Sequence, residues 1–433
     1  MAAFTILFGG RQLDAAGRHE GMVAAVAFES LVKLVIFVGV GVYVTFGIFD
    51  GFGDVFSQAA QHADLRGLMR MGAGGNGYGS WFALTLLSML AVMFLPRQFQ
   101  VAVVENVNEN HLRRAIWLFP LYMLLINVFV LPIALGGLML FAGQSVDADT
   151  FVLTLPMAFG QGWLALLVFI GGLSAATGMV IVETIALSTM VCNDLVMPLL
   201  LRYRWLALQG QDDFTGVLLG IRRGAIVLIL LLGYLYFRLA GEAHALVSIG
   251  LISFAAVAQF APAMIGGMYW RGGTRPGALA GLSGGFAVWL YTLLLPSFAK
   301  SGWLPIEFLQ HGLFGLELLR PQELFGLKGL DPIAHSLFWS MLANIGGYVC
   351  VSLMRRPNAI EAGQAILFVD VFKQSRPSGG AFWRGSAQIG DLLPLIGRFI
   401  GRERAHGAFA EYARSRGVTS VEALQADAGL VHF

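Results

Sequence analysis

Residues 22–49 read MVAAVAFESLVKLVIFVGVGVYVTFGIF, an apolar run broken by one carboxylate, Glu29, and one ammonium, Lys33. At 1.5 Å per residue such a run is long enough to cross a hydrocarbon core of about 30 Å. On a helix in water Glu29 and Lys33 would make an ordinary i, i+4 surface pair. Within a bilayer each charge alone costs about 2.5–3.5 kcal/mol on insertion scales. The two must therefore face protein, water or each other, and the rest of the chain decides which.

Composition places that run in a membrane. Of 433 residues 57% are hydrophobic and 12% charged, about half the charged fraction of a soluble domain. The mean hydropathy is +0.72. Fifty-five glycines with so few charges suit helices that approach one another closely in lipid. A net charge of +2 and the lack of a basic stripe argue against a nucleic-acid partner. Cys192 and Cys350 both lie in apolar runs and suggest neither a disulfide framework nor a metal site. The opening MAAFTILFGG has no basic n-region or cleavage site and does not read as a signal peptide.

Eight apolar runs are long enough to span, near 22–49, 80–104, 115–141, 168–199, 218–240, 245–270, 274–298 and 331–354. The pattern predicts an all-α polytopic membrane protein over residues 1–354. Alternate connections are basic. Arg11 and Arg18 precede the first run, Arg113 and Arg114 follow the second, and Arg202, Arg204, Arg222 and Arg223 fall between the fourth and fifth. Arg271 and Arg275 join the sixth to the seventh, and Arg355 and Arg356 close the eighth, whereas 142–161 has no Lys or Arg. The positive-inside rule then puts both ends in the cytoplasm. Residues 355–433 are polar, with helical patterning in GDLLPLIGRFIG (390–401) and AHGAFAEYARSRG (405–417), and predict a soluble amphipathic tail.

Some polar positions stand out. GAGGNG (72–77) matches G-x-G-x-x-G, but no strand precedes it and a span follows it, so it reads as a loop. FLPRQFQ (94–100) breaks the second span at Pro96 and sets Arg97, Gln98 and Gln100 beside the break, where discontinuous helices build transporter binding sites. Residues 171–194, GGLSAATGMVIVETIALSTMVCND, gather small and hydroxyl side chains, including Ser174 and Thr177, around a lone acid, Glu183. An intramembrane carboxyl is either a satisfied bundle residue or a proton or cation relay. His335, near the end of the last span, reads as interfacial.

The order of these segments resembles the sodium:solute symporter family, and most closely its branch fused to a sensor histidine kinase. The likeness rests on RHEGMVAAVAFESLVKL, FLPRQFQVAVVEN and GGLSAATGMVIVETIALSTMVCNDLVMPLL, and extends over nearly the whole chain. The resemblance implies an inverted-repeat, leucine-transporter-like fold in which the first span closes repeat one, spans two to six form repeat two, and the first eight residues end an earlier helix. Helices of the first repeat would then lie upstream. It also implies a sodium site with adjacent Ser and Thr on the small-residue helix, but counting back from Asp194 lands on Gly178 and Met179. Ser174 and Thr177 are the hydroxyls left, so Na⁺ or H⁺ remains the candidate coupling ion. The tail resembles the start of a transporter–kinase linker.

The expected function is therefore transport of a small organic solute, an amino acid by class, through alternating access in a bacterial inner membrane. Arg97, Gln98 and Gln100 would lie nearest the solute, and Glu29 and Lys33 would be a mutually neutralising gating pair. The alternative is a non-transporting sensory module that works with a histidine kinase and response regulator. No nucleophile–base or metal-ligand set suggests an enzyme, and beyond the coupling ion no cofactor is expected.

Overall fold

The computed structural model describes Thr5, Ile6, residues 20–69, 77–106, 108–202, 215–240, 246–355 and 357–369, Leu393, Ile396 and residues 402–415. These residues form helices joined by turns, with no strand among them. Seven helices are long and apolar enough to cross a membrane, and a bent pair, Tyr78–Phe94 with Pro96–Val104, makes an eighth. Their bounds follow the apolar runs closely: Val23–Ile48 lies within the first and Pro332–Met354 within the last. Ile116, Trp117, Leu118 and Leu121 stand exposed on one such helix, a degree of apolar exposure that only lipid covers. The chain is a multi-pass, all-α membrane protein.

In chain order the helices are α1 (Glu20–Tyr43), α2 (Phe52–Gln61), α3 (Ala63–Leu68), α4 (Tyr78–Phe94), α5 (Pro96–Phe99), α6 (Glu109–Asn127), α7 (Val130–Leu140) and α8 (Phe151–Ala158). There follow α9 (Gly162–Met190), α10 (Met197–Arg202), α11 (Thr215–Ala240), α12 (Leu246–Ala258), α13 (Ala261–Tyr269), α14 (Arg275–Trp289), α15 (Leu295–Lys300), α16 (Glu307–His311), α17 (Pro332–Met354), α18 (Ala359–Val369) and α19 (Arg402–Ser415). Four spans carry a π turn, at Val44–Ile48, Gln100–Val104, Val191–Val196 and Leu290–Leu294. Such turns insert a residue into the helix and often mark functional positions.

The chain divides into two compact units. One holds Val23–Met179 and Tyr234–Lys373. Within it, Val40 and Val44 of the first span pack with Val55 and Ala59 of α2, Ile133 of α7 and Leu155 of α8. A second core joins Leu87 and Leu90 of α4 with Ile252 and Ala255 of α12 and Leu337 of α17.

The tightest seam joins α14 to α17. Gly277, Gly281 and Gly285 fall at successive turns of α14 against Ser352, Tyr348 and Asn344 of α17, so the helices run antiparallel. A Cβ at Gly281 would fall 2.6 Å from the Asn344 carbonyl oxygen, and one at Gly277 2.8 Å from the Tyr348 carbonyl oxygen. Both are backbone atoms, which cannot swing aside. Caps fix the ends: the Thr274 hydroxyl accepts from Gly277 N–H at 3.2 Å, and Asp331 accepts from Ile333 and Ala334 N–H at 3.0 and 3.1 Å.

The other unit holds Met1–Met22, Val180–Gly233 and Gln374–Phe433. Cys192 and Leu218 are buried together there. In α19 the apolar face expected of the tail is buried, through Ala405, Phe409, Tyr412 and Ala413. Nearly all of GAGGNG, and 390–401 apart from Leu393 and Ile396, lie outside the described residues.

Candidate functional site

α1 meets α9 through glycine. Cβ atoms added at Gly171 and Gly178 would fall 2.8 Å from Ile36 Cδ1 and 1.9 Å from Glu29 Oε2. Ile36 and Glu29 are seven residues apart on α1, as Gly171 and Gly178 are on α9, so the two helices pair antiparallel over two turns. Glu29 accepts an ion pair from Lys33 Nζ at 3.0 Å through its other oxygen, Oε1. The side chains are 13% and 28% exposed, so the pair is largely withdrawn from its surroundings. Tyr122 of α6 braces α1 from another side, its hydroxyl donating to the Ser30 carbonyl at 3.2 Å.

Lys33 also forms part of the wall of a cavity of about 480 Å³, within the range of small-molecule sites. The space is lined mainly by apolar side chains, among them Phe37, Ile126, Leu153 and Phe169, with Asp149 at its exposed edge. Asp149 sits in the turn that starts α8, where Asp147 caps by accepting from Asp149 N–H at 3.1 Å. An open, mostly apolar cleft with Lys33 and Asp149 in its wall suits a small solute with an apolar body and two opposite charges.

The second-span break is sharp. α4 and the following helix are bent by 50°, with Leu95 extended at φ −62°, ψ 130°. Pro96 takes the first position of α5, where its missing N–H is not needed. Arg97, Gln98 and Gln100 are half-buried just past the bend. The Gln100 amide donates to Glu105 Oε1 at 3.1 Å, across the π turn. None of the three lines the cavity beside Lys33.

Of the hydroxyls on α9, Ser174 is exposed and Thr177 donates back to the Leu173 carbonyl at 2.7 Å. Glu183, further along the same helix and assigned to the other unit, is half-buried. Among the described residues no group of three or more His, Cys, Asp or Glu side chains could hold a metal ion.

A buried polar network escapes a reading of the sequence. The span Val247–Tyr269 is interrupted between α12 and α13, where Gln259 is fully buried. Its amide donates to Ser340 Oγ at 2.9 Å and to the Ala255 carbonyl at 3.1 Å. Asn344 Nδ2 donates in turn to the Gln259 carbonyl at 2.7 Å and to Gln259 Oε1 at 3.0 Å. The carbonyl can only accept, which fixes the orientation of the Asn344 amide. Nearby on α17, Ser336 Oγ accepts from Thr292 at 2.8 Å. The signal was present: Ser336, Ser340, Asn344, Tyr348 and Ser352 recur every fourth residue, and Pro262 follows Gln259.

His335 sits in the first turn of α17, near the end of that span. It is fully buried, and its Nε2 accepts the Leu324 N–H at 3.0 Å because the preceding loop folds back over the start of α17. Comparison with protein-family models, curated proteins and solved structures found no match to this chain.

Proposed function

We propose that the chain is the membrane domain of a solute transporter. On this reading it has a sodium:solute symporter-like, inverted-repeat fold, lies in a bacterial inner membrane with both ends cytoplasmic, and moves a small organic solute of the amino-acid class by alternating access. The observation that carries the reading is the Glu29–Lys33 ion pair, held between two spans beside an apolar cavity of about 480 Å³. Opposite charges in the wall, Lys33 and Asp149, would receive a carboxylate and an ammonium, and the apolar lining would receive a side chain. A pair that can exchange partners with a zwitterion couples occupancy to the packing of α1 on α9, which is what a gate requires.

The same geometry bears on the coupling ion. The Glu29 carboxylate occupies the space over Gly178, where the resemblance places a sodium-binding hydroxyl. With the Lys33 ammonium tethered to that carboxylate, a proton is the better-supported coupling ion, and Glu183 is the carboxyl to carry it. The hydroxyls of Ser174 and Thr177 would then pack the helix. Arg97, Gln98 and Gln100 would line the solute path at the helix break rather than the chamber beside Lys33.

The test is uptake of a mixed set of radiolabelled amino acids into proteoliposomes of the purified chain, with an imposed pH gradient and, separately, a sodium gradient. Accumulation driven by the pH gradient and reduced at least tenfold by Lys33→Met supports the proposal. Correct insertion with no uptake or counterflow under either gradient overturns it.

A further inference from the structure

The connection between α15 and α17 contains the same turn twice. Leu313–Gly315 and Leu324–Gly326 both read Leu-Phe-Gly, and in both the phenylalanine adopts left-handed backbone, at φ 57° for Phe314 and 54° for Phe325. This conformation is strained for a bulky side chain and persists only where surrounding structure imposes it. At Phe325 the return is visible. Its ring packs edge-on against Trp339 with centroids 5.0 Å apart, and the neighbouring Leu324 is buried and donates its N–H to His335. Among the described residues Phe314 has no such return: it is 90% exposed.

The segment that follows the turn is tied to its neighbours. Arg320 pairs with Glu317 at 2.9 Å and Glu323 at 3.4 Å, and the Tyr291 hydroxyl donates to the Leu319 carbonyl. Other apolar side chains of the same connection, Trp303, Ile306, Leu316 and Leu318, are also exposed. The connection leaves one span and enters the next, so it lies at a bilayer surface. Phe325 and Trp339 continue to the exposed ring of Phe338, on the face that α17 presents to lipid.

We propose that residues 313–318 are a membrane-surface anchor that inserts the Phe314 ring into the headgroup–acyl boundary of the phospholipid bilayer. Aromatic rings favour that layer, and it removes from water the apolar surface that the folded chain leaves uncovered. The proposal requires only that α14 and α17 span the membrane; it is independent of transport.

The test is spin-label accessibility in phosphatidylcholine vesicles. The full chain carries Cys192→Ala and Cys350→Ala, with a label at Phe314→Cys, at Leu342→Cys as the lipid-facing reference, or at Lys328→Cys as the water-facing reference. The Phe314 label is expected to collide with oxygen severalfold more than with a water-soluble nickel chelate, as at Leu342 and opposite to Lys328. Chelate access equal to that at Lys328 would overturn the proposal. So would protection from both relaxants, which would mean that protein, such as a second copy of the chain, covers the turn. Leu316→Cys gives the same reading should the Phe314 variant fail to fold.

Discussion

Removing one member of the Glu29–Lys33 pair should cost far more than removing both. Unpaired, each charge costs about 2.5–3.5 kcal/mol in the membrane interior. In the native protein their contact at 3.0 Å offsets most of this. Glu29 is the more withdrawn of the two, at 13% exposure against 28% for Lys33, whose long side chain can also reach toward the surface. Stranding Glu29 by Lys33→Met should therefore destabilise the fold by about 2–3 kcal/mol, and stranding Lys33 by Glu29→Gln by about 1–2 kcal/mol. The double variant removes both charges, keeps similar shapes over Gly178, and should lie within about 1 kcal/mol of the parent. The coupling energy would then be about 2–5 kcal/mol. Reversible unfolding in mixed micelles, titrated with a denaturing detergent, measures all four corners of the cycle. Single effects that add to within about 0.5 kcal/mol would refute the pairing and, with it, the gate built on it.

Other expectations follow from the same coordinates. Gly281→Ala forces a methyl onto the Asn344 carbonyl, 2.6 Å away, and should destabilise by about 1–3 kcal/mol. Gly284→Ala meets its nearest neighbour at 3.6 Å and should be neutral or gain up to about 1 kcal/mol of helix propensity; thermal melts in detergent separate the two. If Glu183 carries the coupling proton, Glu183→Gln should leave expression intact and abolish the pH dependence of uptake, and unchanged pH dependence would exclude that role. Glu361 accepts N–H groups from Asn358 at 2.8 Å and Arg275 at 2.9 Å, and these bonds, Asn358's foremost, hold its carboxyl below the usual range. Since the folded value is the lower one, this clamp is intact above the ordinary carboxylate range and is lost as pH falls through the folded value. The protection factor at the Arg275 amide, its exchange rate relative to an unstructured peptide at the same pH, should drop in acid in the parent and be low at every pH in Glu361→Ala.

The spans were legible because a membrane-crossing helix is specified locally: an apolar run of sufficient length is enough. The break at Pro96 was legible for a similar reason, since a missing N–H acts on its own helix. What the sequence concealed were features made by partners distant along the chain. The apolar run of α8 is too short to span and reads as part of a connection, yet Phe151 and Leu155 complete a core with Val40 and Val44. The burial of His335 is hidden because the segment that covers it makes its contact through a backbone N–H, which no side-chain pattern records. Glu29 and Lys33 were visible as a pair, but Gly178, which admits the carboxylate, is one glycine among 55. Gln259 does little to the hydropathy of its span, and its importance lies in donors and acceptors on α17.

The seam between α14 and α17 limits which parts of the protein can move. Its hydrogen-bonded rungs are Thr274 with Ser352 at one end and Thr292, in the π turn that follows α14, with Ser336 at the other, while Gln259 ties Asn344 and Ser340 of α17 to the break between α12 and α13. A slip of one helix past the other by one turn, about 5.4 Å, would unseat both rungs together and drive side chains into backbone where glycine now sits. The pair therefore behaves as a single strut with one permitted register. Any cycle of opening and closing must use it as a fixed reference and place its moving joints elsewhere, at the bend before Pro96 or along the glycine contact of α1 with α9.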